Sequence, residues 1–266
     1  MLAMMPGFRR QLVLLLALCC PLIAQQAPEE PQANPARPTI ATPATLTPVG
    51  YLQFESGFLY AADSPEFDSQ SSGNEVIKLT VDRRFELIAG SGTLALSRVG
   101  NASSSGTGDF IAGGQGVIYS GSGPRPTIAL SYFRRLYEGD APDLDIGSAR
   151  NSVLLLASAD VHGFHYDANY FVNEIVNGTI HRLQLGQTLS ISHPLRGKLG
   201  LTGEIWHFTQ PFLRSNAVGN LWALNYNLRA NLVVDAGFDH GLTRTSTGWQ
   251  GFAGITYLLP HRLFSR

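Results

Sequence analysis

The chain has 266 residues, of which 15% are charged and 28 are glycine, and its formal net charge is −1. An ordinary globular protein carries about 25% charged residues, so this shortage of charge beside abundant glycine suits a wall that faces lipid. No basic field exists to attract nucleic acid, which excludes it as a partner. The two cysteines, Cys19 and Cys20, sit near the amino terminus, so the rest of the chain can hold neither a disulfide nor a thiolate metal site.

Residues 1–24 predict a cleaved secretory signal: Arg9 and Arg10 precede an apolar run from Leu12 to Ile23, and Ala24 offers a small residue before Gln25 and Gln26. The run is too short to remain as an anchor. Lipidation is disfavoured because Leu18 or Cys19 stands where a small residue should precede the cysteine. Without the signal, 17 basic residues face 20 acidic ones, a net charge of −3. Residues 25–48 are rich in Pro, Ala and Thr and carry the acidic pair Glu29 and Glu30. Such a segment cannot bury enough apolar surface to fold alone and predicts an extended periplasmic arm. It can be a disordered leader or a strand of chain threaded into the lumen. No later run of about 18 apolar residues could form a membrane helix, so only strands could cross a bilayer.

From residue 49 to residue 266 the pattern is one domain of alternating strands. Leu52, Phe54, Phe58 and Tyr60 alternate with Gln53, Glu55 and Gly57; Phe164, Tyr166 and Tyr170 alternate with His165, Asp167 and Asn169; Leu183, Leu185, Leu189 and Ile191 alternate with Gln184, Gly186, Thr188 and Ser190. Only Phe171 breaks the second series. Strands are expected near residues 50–60, 75–82, 84–91, 109–119, 126–137, 148–160, 164–173, 179–192, 198–208, 219–229, 232–240 and 248–258. Connectors at 82–84, 120–125, 161–163, 193–197 and 230–231 are short. Those at 61–74, 92–108, 138–147, 209–218 and 241–247 are longer and rich in Ser, Gly, Asp and Asn, with Asn177 and Gly178 the exception. Short and long connections therefore alternate. This pattern predicts an all-β fold: a transmembrane, antiparallel, up-and-down β-barrel of about twelve strands, in a bacterial outer membrane with tight periplasmic turns. Tyr51, Tyr60, Tyr119, Tyr132, Tyr137, Trp222, Tyr226, Trp249 and Tyr257 fall mostly near strand ends, where interfacial girdles belong. The last strand should close at Tyr257 or Leu258, because Pro260 cannot donate to a ladder.

The segment from Arg37 through Pro38, Thr39, Ile40, Ala41 and Thr42 to Pro48, Gly50, Tyr51, Leu52, Gln53, Phe54, Glu55 and Gly57 resembles the opening of the outer-membrane proteins labelled "putative MetA-pathway of phenol degradation". The resemblance extends to the strand, turn and strand from Leu79 to Leu87, to Gly106, Thr107, Gly108 and Asp109, and to Gly203, Glu204, Ile205 and Trp206. Pro43 departs from it, standing where that family often has glycine, and Arg134, Arg135 and His193 through Arg196 have no counterpart. The resemblance implies a barrel and passage of small, often aromatic, solutes.

If the apolar parity faces lipid, the other parity places Glu55, Lys78, Glu86, Asp109, His165, Asp167, Asn169, Arg182, Glu204, Arg229, Asp235 and Asp239 in the lumen or near its rim. Charge in a narrow lumen is costly unless compensated, so acid and base should pair across strands, with Lys78, Arg182 and Arg229 as the bases. The same groups could fill a closed barrel or line a solute path. Partners are then outer-membrane lipid and a small solute; no cofactor is implied, and the oligomeric state is not legible.

Two constellations invite a chemical reading. His162, His165 and Asp167 could be metal ligands, but His162 falls in a turn while His165 and Asp167 share a strand face, so no metal site is expected. Ser190, Ser192 and His193 suggest a hydrolase, yet Ser192 and His193 as strand neighbours point to opposite faces unless the strand ends there. Gly113 and Gly114 give room for curvature, and no Lys or helix start follows to make a phosphate cradle. Asn101 and Asn177 head formal glycosylation acceptors expected to be silent in a bacterium. The functional expectation is a passive pore or facilitator for small solutes, not an enzyme. The alternatives are a non-conducting barrel plugged by ion pairs and the arm, or a membrane-embedded lipid hydrolase.

Overall fold

The computed structural model describes residues 30–142, 144 and 149–264, so the expected export signal lies outside the described residues. From Pro31 onward the chain forms one compact unit. Its described strands are β1 (Leu52–Ala62), β2 (Ser69–Asp82), β3 (Phe85–Val99), β4 (Ala102–Gly106), β5 (Phe110–Tyr119), β6 (Thr127–Tyr137) and β7 (Ala149–Val161). They continue with β8 (Phe164–Asn177), β9 (Ile180–Arg196), β10 (Leu199–Gln210), β11 (Ser215–Arg229), β12 (Leu232–Gly241) and β13 (Trp249–Leu258). All pairings are antiparallel, and β13 pairs with β1 in the register Phe54↔Tyr257, closing a ring of twelve strands. β4 stands outside the ring, paired with the upper half of β3. The all-β twelve-strand barrel expected from the alternation is what forms.

Three expected connectors are strand over much of their length; in 61–74, β1 reaches Ala62 and β2 already begins at Ser69. The expected connector at 92–108 is largely strand: β3 shifts register between its partners Gly73 and Asn74 of β2, leaving Thr93 as the extra residue, then continues to Val99 and turns back as β4. Its Ser- and Gly-rich composition hides that hairpin. β9 likewise runs through Pro194, which pairs with Gly200, to Arg196, with a register shift that leaves Leu195 as the extra residue. At the β9–β10 end, two-residue turns also join β2 to β3, β7 to β8 and β11 to β12, while residues 120–126 join β5 to β6. His162 (φ 51°) and Gly163 (φ 84°) both adopt the left-handed conformation that matches the twist of a two-residue hairpin. This is the tight-turn end; the opposite, loop end carries the longer connections and the β3–β4 hairpin.

The wall is inverted relative to a soluble domain. Gln53, Glu55, Lys78, Thr80, Glu86, Gln115, Gln184 and Glu204 are each at most 5% exposed, whereas Leu130, Leu155, Leu183, Ile205 and Trp222 are 45–65% exposed. Burying polar groups while leaving large apolar ones bare is favourable only when the surroundings are themselves apolar. Tyr60, Tyr137 and Trp249 mark the loop ends of their strands, and Tyr119, Tyr226 and Tyr257 the tight-turn ends. The last strand ends at Leu258, before Pro260; Leu259 then donates to the Leu52 carbonyl at 2.9 Å and Leu263 to Gly50 at 2.8 Å, tying down the tail.

One arc of the inner wall is apolar. Val117, Ala129, Leu154, Leu156, Phe171, Trp206, Phe208 and Ala217 form a buried cluster, and Ile40, Ala44 and Leu46 of the amino-terminal arm pack on it. Glycine makes the room: a Cβ at Gly219 would strike the Trp206 ring and one at Gly186 the Phe208 ring. Phe171, the residue that breaks the alternation, points inward with this cluster and meets Phe208 edge-on at 5.3 Å.

Candidate functional site: the lumen and its arm

Residues 31–50 run inside the ring as a bent, extended segment. Ala33 donates to the Ala230 carbonyl at the tight-turn end (2.9 Å), the segment rises to Ile40 and Ala41, and it returns through Ala44 and Thr47 to Gly50, which donates to Thr80 (2.8 Å). Asn34 joins the two legs through its amide, 2.9 Å from the Thr45 carbonyl. A backbone placed away from water must satisfy every N–H. Pro31, Pro35, Pro38, Pro43 and Pro48 remove five donors, and wall side chains accept from many of the others. Glu55 accepts from Ala36 and Arg37 (3.1–3.2 Å), and Glu204 takes Ile40 and Ala41, one on each oxygen, at 2.8 and 2.7 Å. Asn169 brackets Thr42, accepting from its N–H at 2.6 Å and donating to its carbonyl at 2.9 Å. Ser158 accepts from Ala44 (2.7 Å) and Glu86 from Thr47 (3.0 Å). Gln115 donates to the Pro43 carbonyl at 3.0 Å.

Arg37 is the arm's one charged anchor. Its guanidinium meets Asp235 through Nε (3.3 Å) and Nη2 (3.2 Å), and it lies over Gly57 and Gly254, where any Cβ would collide with it. Beside it Lys78 Nζ pairs with Glu55 Oε1 at 2.5 Å, both side chains being under 5% exposed. Replacing Lys78 with Met leaves the Glu55 carboxylate buried with only Gln53 and the two arm N–H groups, at an expected cost of about 3 kcal/mol. A thermal melt of the refolded barrel checks this, and an unchanged melting point would show that the pair contributes nothing.

The other residues expected in the lumen separate into groups. Glu86, Asp167, Asn169, Glu204, Asp235 and Asp239 are buried on the inner face, Asp239 accepting from Trp206 Nε1 at 2.9–3.0 Å. Asp109 lies at the loop end, 3.5 Å from Arg135, and accepts from Gly139 at 2.9 Å. Arg182, also at that end, donates to the Pro211 carbonyl (2.6 Å) and covers the Phe212 ring, so it is not the base for a buried carboxylate. Arg229 is exposed at the tight-turn end, released by a register shift after Asn227. The buried carboxylates find Lys78, Arg37 and backbone N–H groups instead of the expected arginines.

Chemistry at His165 is closed off by its neighbours. Its Nδ1 meets Asp160 at 2.7 Å and its Nε2 meets Asp167 at 3.3 Å, so although register sets Ser192 opposite it, no ring nitrogen is left to activate that hydroxyl. His193 instead bonds the Gly163 carbonyl at 2.9 Å. Among the described residues no group of three acids, histidines or cysteines could hold a metal ion.

Space remains beside the arm. A cavity of about 510 Å³ opens on the loop side, between arm residues Ala36 and Thr42 and the inner faces of β2, β3 and β5–β8. Ile88, Ile111, Phe133, Leu154 and Phe171 make its walls apolar, with Lys78, Asp109 and Arg135 at its margins. Asn173 Oδ1, also facing it, is buried with no hydrogen-bond partner.

No family model matches this chain, and no curated protein matches it. Solved structures do. The COG4313 outer-membrane channel from Pseudomonas putida F1 superposes with a TM-score of 0.59 at 12% identity, over 81% of this chain and 98% of that one. KdgM porin matches with a TM-score of 0.53 at 14% identity, and NanC porin with 0.53 at 6%, each over 77% of this chain and 98% of its own. The likeness is one of fold.

The lumen residues that strand parity missed lie in the arm and on the apolar arc. Arg37 belongs to a segment with no periodicity, so nothing in its own sequence context points at Asp235, 198 positions away. Phe171, Trp206 and Phe208 did leave a signal: each is a large ring on the parity otherwise occupied by Asn169, Asn173 and Glu204.

Proposed function

We propose that this protein is a bacterial outer-membrane channel for small solutes, narrowed from the periplasmic side by its own amino-terminal arm. The observation that carries the reading is the hollow left beside the arm: an apolar cavity of about 510 Å³ in a closed barrel whose outer wall is apolar. The proteins that share this fold are named as a channel and as porins, and the resemblance to the phenol-degradation outer-membrane family points the same way. Solutes enter from the loop side, lose water against Ile88, Ile111, Phe133 and Phe171, and pass the arm only if small. The many wall acceptors that hold the arm favour a second reading, a barrel that does not conduct at all. Swelling of liposomes that contain the refolded chain separates the two. Swelling in solutes of glycerol size but not in trisaccharides is the expected result; no swelling in any solute overturns the channel.

A further inference from the structure

A polar row crosses four strands on the outward face near the loop end. Tyr132 donates to Asn151 Oδ1 at 2.8 Å, the Asn151 amide donates to Glu174, and the second Glu174 oxygen meets His181 Nδ1 at 2.6 Å. Two arginines adjoin this row: Arg134, paired in register with Asn151, and Arg150, the extra residue where β7 shifts register against β8. Both are exposed, and the side chain of neither makes a hydrogen bond or ion pair with another described residue. Glu174 lies within electrostatic reach of Arg150, but its two oxygens are already engaged by Asn151 and His181. Toward the tight-turn end the same face is bare hydrocarbon, with Leu130, Val153, Leu155 and Leu183 between 39% and 65% exposed. Elsewhere around the ring the loop-end level carries rings instead, Phe238 and His240 packing on Trp249 at 6.1 and 4.1 Å.

A guanidinium presents a planar fork of donors that fits phosphate oxygens, and two of them above an apolar wall match an amphiphile whose head is a phosphate and whose tails are acyl chains. We propose that the outward face of β6–β9 is a binding site for a phosphorylated lipid of the surrounding leaflet, its phosphate held by Arg134 and Arg150 and its chains lying on Leu130, Val153, Leu155 and Leu183. This rests on the membrane location proposed above.

The test is native mass spectrometry of the full refolded chain in detergent with three probes: bisphosphorylated lipid A, a phosphate-free glycolipid with similar chains, and inorganic phosphate as competitor. Lipid A should be retained, and the double substitution Arg134→Gln with Arg150→Gln should lower its occupancy roughly tenfold. Arg214→Gln with Arg244→Gln, in exposed loops of the loop end, should not. Equal retention of lipid A by the Arg134 and Arg150 variant, equal retention of the phosphate-free lipid, or displacement by millimolar inorganic phosphate would overturn the site. Heat-modifiability on gels separates this failure from that of the membrane reading: a barrel that assembles but holds no lipid A overturns the lipid site alone, whereas a chain that never assembles in detergent overturns the membrane location.

Discussion

Replacing Glu204 with Ala is expected to free the arm at its apex while leaving the barrel closed. Glu204 accepts two backbone N–H groups, from Ile40 and Ala41, and Ala41 is 0% exposed. An unsatisfied buried donor costs about 1–3 kcal/mol, so two of them outweigh the packing of Ile40 on the apolar cluster. The ring itself is held by interstrand ladders that do not pass through this side chain. A cysteine introduced at Ala41 should therefore resist a maleimide in the parent and react in the Glu204→Ala background, with heat-modifiability of the barrel unchanged. Glu204→Gln keeps one acceptor oxygen and should fall between the two. Equal protection of that cysteine in all three backgrounds would mean that Glu204 does not hold the arm.

The second large effect concerns the wall. Leu155 is 48% exposed on the outward face near the middle of β7, while Ser152, three residues away, lines the cavity. Arginine at Leu155 places a charge near the lipid midplane and should cost about 2–4 kcal/mol, whereas arginine at Ser152 projects into the hollow beside Arg135 and Asp109 and should be tolerated better. Assembly yield in detergent and in lipid, read on heat-modifiability gels, distinguishes them. Equal loss in both would show that the two faces are wrongly assigned.

The barrel was legible because the wall imposes a period of two over many strands, as in Leu52 through Tyr60 and Gln184 through Ile191, and the turns between strands are marked by Gly, Pro and Asn. β4 was not legible, since Ser103, Ser104 and Ser105 give no contrast between faces and the strand is defined only by pairing with Ser97 and its neighbours. Glu55, Glu86, Asp167, Glu204, Asp235 and Asp239 were readable as inward carboxylates, because parity alone places them. Their partners were not. Glu204 and Ile40 are 164 positions apart, and the donors are backbone N–H groups, which every residue but proline carries and which leave no mark in a sequence. Arg229 shows the limit of parity from the other side: a single register shift near Asn227 leaves it exposed at the strand end.

Single-channel conductance in planar bilayers tests the constriction by the arm most directly, measured on the parent chain and on a variant combining Arg37→Ala with Glu204→Ala, both shown to be assembled barrels. A small conductance for the parent and one several times larger for the variant is the result expected of a channel that its own arm constricts. Equal conductances would contradict that account, and silence in both would leave the barrel without a path.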